Sequence, residues 1–350
     1  MMRLAVVGNP ENRRVTLFTA AVRRFGLPAP EVFPWLDVLT AGRVPGPGTV
    51  VRVDSPGENA EVDRLLRGAS GPAEHGEIVG AAAAFRGLGR ALARIRDGGG
   101  HQLQDTGDIL LMTDKPRCHG FLREAGIPVP EALGPIGGYE ALRASGWKRV
   151  FVKPAYGSSA SGVMAVAFAG RRVTAVTSAE LSGGRIYNNL RVRRYDDETS
   201  IRAVVDRLAV DGLHVERWYP KASLGDRVLD LRVVVIAGEP RHVVVRTSRT
   251  PMTNLHLGNA RGDVAAVREA AGEKTWRAAM GTCASVAALF PRSLHIGVDL
   301  MFRVGWRDHA VAEVNAFGDL LPGVLVDGRD TYGAQVGAIV GGRAGVPCAI

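Results

Sequence analysis

Three oxygen-bearing side chains stand close together near the end of the chain. Asp299 lies in Gly297-Val298-Asp299, and Glu313 and Asn315 lie in Ala312-Glu313-Val314-Asn315-Ala316. The flanking runs, 295–304 and 309–314, are mostly apolar and read as β-strands, with Gly305-Trp306-Arg307-Asp308 as turn chemistry between them. Side chains alternate along a strand, so Glu313 and Asn315 share a face. An odd-numbered hairpin connection adds Asp299 to that face, and a four-residue one does not. Hard oxygen donors of this kind suit Mg²⁺, which takes one or two carboxylates together with substrate phosphates. The competing reading is an exposed polar strand face. The apolar neighbours weigh against it, because an unpaired carboxylate among them is costly.

Lysine is rare, at Lys115, Lys148, Lys153, Lys221 and Lys274, and arginine supplies nearly all the positive charge. Lys148 and Lys274 read as ordinary surface lysines. Lys153 opens the stretch Lys153-Pro154-Ala155-Tyr156-Gly157-Ser158-Ser159-Ala160-Ser161-Gly162, which joins two apolar strands. Small residues let backbone N–H groups approach a phosphate, and a lysine at the edge adds a point charge. The stretch has no Gly-Lys-Ser/Thr and leads into a strand, so it is not a Walker loop. A glycine-rich hairpin without a ligand is the alternative.

His214-Val215-Glu216-Arg217-Trp218-Tyr219-Pro220-Lys221 alternates as a strand up to its proline, and Leu229-Asp230-Leu231-Arg232 follows. Asp230 and Arg232 share a face, and Arg246 lies on the paired strand. Clustered arginines call for an anionic ligand, or for an Asp–Arg ion pair with the remainder in solvent. The segment 253–262 is a polar loop. Its His256 reads as a loop histidine with a local hydrogen bond.

The elements that must position these groups are legible in outline. Strands at 3–7 and 49–53 and helices at 15–25 and 61–66 alternate as in a small parallel α/β layer. A helix is expected at 78–96. Thr113 or Asp114 caps the next helix, which runs to Glu124 with Pro116 in its first turn. Further helices are expected at 139–144, 201–208 and 276–289, and further strands at 149–153, 163–168, 213–218, 229–237 and 242–247. The expected division is 1–112, an N-terminal α/β domain; 113–215, a lobe with the glycine/serine loop; 216–340, a lobe with the metal face; and 341–350, a loose tail.

Composition sets the outer limits. The 350 residues are 46% hydrophobic and 23% charged, the balance of a globular protein of two or three units. No apolar run approaches a membrane span, and the first eight residues are too short for a signal peptide, so a cytoplasmic chain is expected. Cys118, Cys283 and Cys348 are scattered, which gives neither a disulfide framework nor a cysteine-based zinc site. The formal charge of +9 suits an anionic partner. Its even spread argues for nucleotide phosphates and against nucleic acid.

Taken in order, the motifs are Asp114-Lys115 at a helix start, Phe151-Val152-Lys153-Pro154 with its small-residue loop, and Val215 to Pro220. Asp230-Leu231-Arg232, Arg246, Asn254 to Asn259, Gly297-Val298-Asp299 and Glu313-Val314-Asn315 follow. From about residue 105 to 340 this order resembles the ATP-grasp superfamily, in the manner of ribosomal-protein glutamate ligases and glutathione-synthetase-like members. The resemblance implies a two-lobed α+β grasp behind a small α/β domain. It also implies an ATP- and Mg²⁺-dependent (or Mn²⁺-dependent) ligase joining a small-molecule or peptide carboxylate to an amine through an acyl phosphate. A small-molecule kinase on the same fold and a non-catalytic ATP-binding protein are the alternatives. By position, Lys115 and Lys153, with Gly157, Ser158 and Ser159, would contact ATP phosphates. Glu216 and the backbone of Arg217 and Trp218 would form the adenine hinge. Asp299, Glu313 and Asn315 would hold the metal, and Arg232, Arg246 and Asn254 would surround the γ-phosphate and carboxylate. Two positions depart from the usual family pattern: Arg217-Trp218 in the hinge, and Gly258-Asn259-Ala260 in place of a double glycine. An oligomer is compatible with all of this.

Overall fold

The computed structural model describes residues 2–157 and 161–344. Its first sheet comprises β1 (Arg3–Gly8), β2 (Glu31–Pro34), β3 (Thr49–Val53) and β4 (His101–Gln102), in the order β2-β1-β3-β4 and all parallel. β1 and β3 are near-continuous apolar runs, as strands covered on both faces must be. The helices α1 (Arg13–Arg24), α2 (Trp35–Thr40), α3 (Ala60–Arg67), α4 (Ala81–Asp97) and α5 (Thr106–Thr113) accompany this sheet. Asn12 and Asn59 cap α1 and α3. The parallel layer is as expected. β2 and α2 were not, because Pro28, Pro30 and Pro34 obscure the strand pattern there.

The helices α6 (Lys115–Glu124) and α7 (Tyr139–Ala144) lead to an antiparallel sheet of five strands. Its strands are β5 (Arg149–Pro154), β6 (Met164–Ala169), β7 (Arg172–Ser182), β8 (Arg185–Tyr195) and β9 (Leu213–Arg217), in the order β8-β7-β6-β5-β9. Helix α8 (Glu198–Ala209) packs on it and, with α7, completes a separate apolar core around Val150, Val152 and Val204. The long β7–β8 hairpin has no counterpart among the expected elements. It turns on Gly183-Gly184, both with positive φ, the chemistry of a two-residue hairpin. The expected 215/216 division falls inside β9.

The third sheet contains β10 (Ser223–Leu224), β11 (Arg227–Ile236), β12 (Glu239–Ser248), β13 (Ala260–Gly262), β14 (His295–Phe302) and β15 (His309–Asn315). Its order is β13-β12-β11-β14-β15, with β10 on β11. Helix α9 (Val264–Ala288) starts earlier than expected and breaks at Gly272 (φ 72°), so the anticipated helix is its second half. Helix α10 (Thr331–Val340) was not anticipated. This sheet shares its apolar cores with the first one: Val234 and Ile236 pack in one cluster with Val6, Phe18 and Tyr332. Among the described residues no helix is long and apolar enough to cross a membrane. The described cysteines, Cys118 and Cys283, are buried and free, and Cys348 lies outside the described residues.

A buried ionic clasp joins the first and third sheets. Arg52, 1% exposed, reaches Asp54 and Asp319 at 2.7 Å each and also bonds Gln335. Arg14 holds the other Asp319 oxygen at 2.8 Å. Nearby, Asn9 Nδ2 donates to the carbonyls of Pro56 and Gly57, so both loops at the ends of β1 and β3 are tied by ordinary turn chemistry. Removing one partner from such a network strands buried charge. Asp319→Ala is therefore expected to lose about 3–5 kcal/mol in urea unfolding. A loss under about 1 kcal/mol would show that the clasp contributes little.

Candidate active site

Strands of the second and third sheets face each other across a cleft of about 920 Å³, counting space open to solvent. On β5 the alternation leaves Val150 and Val152 in the core and turns Phe151 and Lys153 to the cleft. Lys115 arrives from the first residue of α6. Asp114 caps that helix by accepting from Arg117 N, and Lys115 N donates to Ala155 O at 3.0 Å. Both lysines therefore line one cleft, together with Asp299, Glu313 and Asn315.

The hairpin reaches this geometry by an unexpected route. Six residues, 303–308, connect β14 to β15, an even number that continues the pairing Phe302↔His309, Met301↔Ala310 and Leu300↔Val311. Extended without interruption, this register would set Asp299 opposite Ala312. A bulge at Ala312 adds one residue, and the pairs become Asp299↔Glu313 and Gly297↔Asn315. The three oxygen-bearing residues thus share a face. The carbonyl of the bulged Ala312 accepts from Lys153 Nζ at 3.2 Å. Gly297 is required for close approach: a Cβ there would lie 2.7 Å from Gly318 Cα.

Register also lines up the charges on β11. Asp230 lies opposite Arg246, and Arg232 lies opposite Asp299. Arg232 grips Asp299 in a fork at 2.5 and 3.0 Å, and Arg246 Nη2 adds a contact at 3.2 Å. Asp230 receives Arg246 Nε at 2.7 Å, Lys221 Nζ at 3.0 Å and the Thr253 hydroxyl. Burial pushes the Asp230 carboxyl up, but Arg246 and Lys221 outweigh it and hold it well below the usual range. Asp299 is held low in the same way by Arg232 and Arg246. Burial pulls the Lys221 ammonium down.

Glu216 is buried and committed on both oxygens, to Lys153 Nζ at 2.7 Å and to His214 Nε2 at 2.9 Å. It is thus a partner of Lys153 and His214, with neither oxygen left free. The N–H groups of Arg217 and Trp218 are also taken, by Glu131 O and Arg149 O. Arg217 lines the cleft, whereas the Trp218 ring packs against Phe151 and under the Arg149 guanidinium. Asn254 lines the cleft and caps a short 3₁₀ turn through His256 N. Lys115 Nζ bonds Gly157 O at 2.7 Å and Glu313 at 3.3 Å. Ser158 and Ser159 lie outside the described residues. Lys221, Asp230, Thr253, Tyr219 and Met301 also line the cleft and were not among the anticipated site residues. The scarcity of lysine was the one signal that pointed to Lys221.

No protein-family model matches the chain, and no curated protein sequence matches it. Solved structures do. D-cycloserine synthetase DcsG superposes with a TM-score of 0.58 at 16% identity, covering 96% of this chain and 98% of that one. The ATP-grasp ligase PsnB, solved with its minimal precursor, gives 0.55 at 17% identity, covering 97% and 99%. The macrocyclase MdnC from Microcystis aeruginosa MRC, bound with precursor peptide MdnA, gives 0.54 at 11% identity, covering 97% and 99%. The chain has the ATP-grasp fold. The grasp is the pair of antiparallel sheets, and the cleft between them is where the motifs converge.

Glu216 provides a test of the electrostatics. Burial raises its carboxyl, but Lys153 and the His214 hydrogen bond win and lower it from 4.5 to about 2. As pH falls, the unfolded chain takes up this proton first, so stability is present above about 4.5 and declines toward 2. By about pH 3 the loss from this group is on the order of 2 kcal/mol relative to neutral pH. Urea unfolding should show a shallower acid decline in Glu216→Gln by that amount, and an unchanged profile would refute the pairing.

Proposed function

We propose that this chain is an ATP- and Mg²⁺-dependent ligase that joins a carboxylate to an amine. The carrying observation is convergence: Lys115 and Lys153, Arg232 and Arg246, and the oxygen donors Asp299, Glu313 and Asn315 line one cleft between the two antiparallel sheets. The solved structures of similar fold support the reading. PsnB has been solved with Mg and ADP and with AMPPNP, and MdnC with its precursor peptide.

The donor set fits the metal. Asp299 and Glu313 are carboxylates opposite one another, and Asn315 follows on the same face, an all-oxygen set suited to Mg²⁺ or Mn²⁺. Asp299, Glu313 and Asn315 would hold the cation, which would supply positive charge against the charge that develops on phosphoryl transfer. Lys115 and Lys153 are placed to neutralise the phosphates as point charges. Phe151 and Met301 supply apolar cleft surface for a purine. Arg232 and Arg246, now paired with Asp299 and Asp230, are placed to exchange those carboxylates for the substrate carboxylate and γ-phosphate. Asn254 lies beside them. In this reading the two lobes are 113–215 and 216–340, with the crossover inside β9, and 1–112 contributes substrate contacts. The enzyme acts in the cytoplasm on small-molecule or peptide substrates.

Incubation with ATP, Mg²⁺, hydroxylamine and panels of amino acids, peptides and other carboxylates should give ADP and a hydroxamate only when an accepted carboxylate is present. A stable phosphorylated acceptor without free phosphate would instead establish a kinase. Lys153→Ala and Glu313→Ala should each lower turnover by at least about 100-fold, the scale of one lost transition-state contact, with circular dichroism unchanged. Wild-type turnover and calorimetric ATP affinity in both would refute these roles.

A further inference from the structure

Behind Lys115 and Lys153 lies a second, smaller pocket of about 330 Å³, counting space open to solvent, bordered by Cys118, His119, His214, Glu216 and Glu313 among others. His214 and Glu216, two residues apart on β9, share a face. Helix α6 brings His119 against them, its imidazole centroid 5.0 Å from that of His214. All three residues are buried, and each offers a ligand atom within 4.8 Å of the other two.

The surroundings prepare these groups as ligands. His119 Nε2 meets the Pro130 carbonyl at 2.7 Å, which makes Nε2 the N–H donor and leaves Nδ1 with its lone pair. Burial pulls the His119 pKa down, which keeps the ring in its neutral, ligating form. Two imidazoles and one carboxylate beside open space for a fourth ligand match the donor set of three-ligand zinc sites. The set differs in kind from the all-oxygen face at Asp299, Glu313 and Asn315.

We propose that His119, His214 and Glu216 form a binding site for a divalent transition metal of the Zn²⁺ class, separate from the Mg²⁺ face. The proposal does not depend on the ligase reading. Metal binding replaces the hydrogen bond between His214 and Glu216 with two metal–ligand contacts, and the neutral His214 ring keeps its one N–H on the nitrogen that does not ligate. It also draws Glu216 away from Lys153, whose ammonium retains the Ala312 carbonyl at 3.2 Å. Occupancy of the small cavity therefore changes how Lys153 is held in the large one.

The test is titration of the full chain with Co²⁺ in the absence of nucleotide. The expected result is a saturable ligand-field spectrum of four-coordinate cobalt at one equivalent, bleached by Zn²⁺ and unaffected by Mg²⁺. His119→Gln and His214→Gln should each weaken Co²⁺ binding by at least about tenfold, the scale of a lost ligand contact. X-ray absorption on the zinc-loaded wild type, which needs no variant to fold, should show two imidazoles and no sulfur. No saturable spectrum, a sulfur ligand, or wild-type affinity in both folded variants would each overturn the site.

Discussion

A carboxylate taken out of water must meet a cation, and the cleft is organised around that requirement. Asp230, Asp299 and Glu216 are each only 4–5% exposed. Each is met by a guanidinium or an ammonium: Arg246 and Lys221 at Asp230, Arg232 and Arg246 at Asp299, and Lys153 at Glu216. None of these cations lies in a sealed core, because all three acids and all four cations border the cleft. The pairs are therefore exchangeable. A ligand that carries both phosphates and a cation can take over from the internal partners without leaving any group unneutralised, which is the physical basis of the proposed nucleotide site.

Sheet register supplies the pairing. Antiparallel neighbours place Asp230 against Arg246 and Arg232 against Asp299, so the opposed charges need no long side-chain excursions. The row continues to Glu313 only because β15 carries one extra residue. The bulge moves Glu313 into place and also frees a backbone carbonyl, that of Ala312, for Lys153. A single irregularity thus couples the face that carries Asp299, Glu313 and Asn315 on one sheet to Lys153 on the other.

The same hairpin is anchored from behind. Past Asn315 the chain passes Gly297 at backbone contact and presents Gly318 O to Arg232 Nη1 at 3.2 Å. The next residue, Asp319, enters the Arg52–Arg14 clasp that binds the first sheet to the third. His295, at the start of β14, sits 3.4 Å from Asp319, and burial pulls its pKa down to about 4. The oxygen donors are thus carried on a segment held at both ends by buried polar contacts, a firmer mount than a surface loop would give.

Much of this was legible in the residues themselves. Strand alternation placed Glu313 with Asn315 and Asp230 with Arg232, because a two-residue period is a local property of extended backbone. Asp114 and Pro116 announced a helix whose first residue is Lys115. The order of motifs pointed to the fold. Other features had no local signature. Prolines obscured β2, the polar residues around Gly183-Gly184 hid the β7–β8 hairpin, and apolar content alone did not mark α10. The Ala312 bulge, the capture of Glu216 by Lys153 and His214, and the meeting of His119 with His214 were decided by tertiary structure alone. Each depends on where one strand or helix stops relative to another, and that is settled by packing across the whole chain and not by any short run of residues.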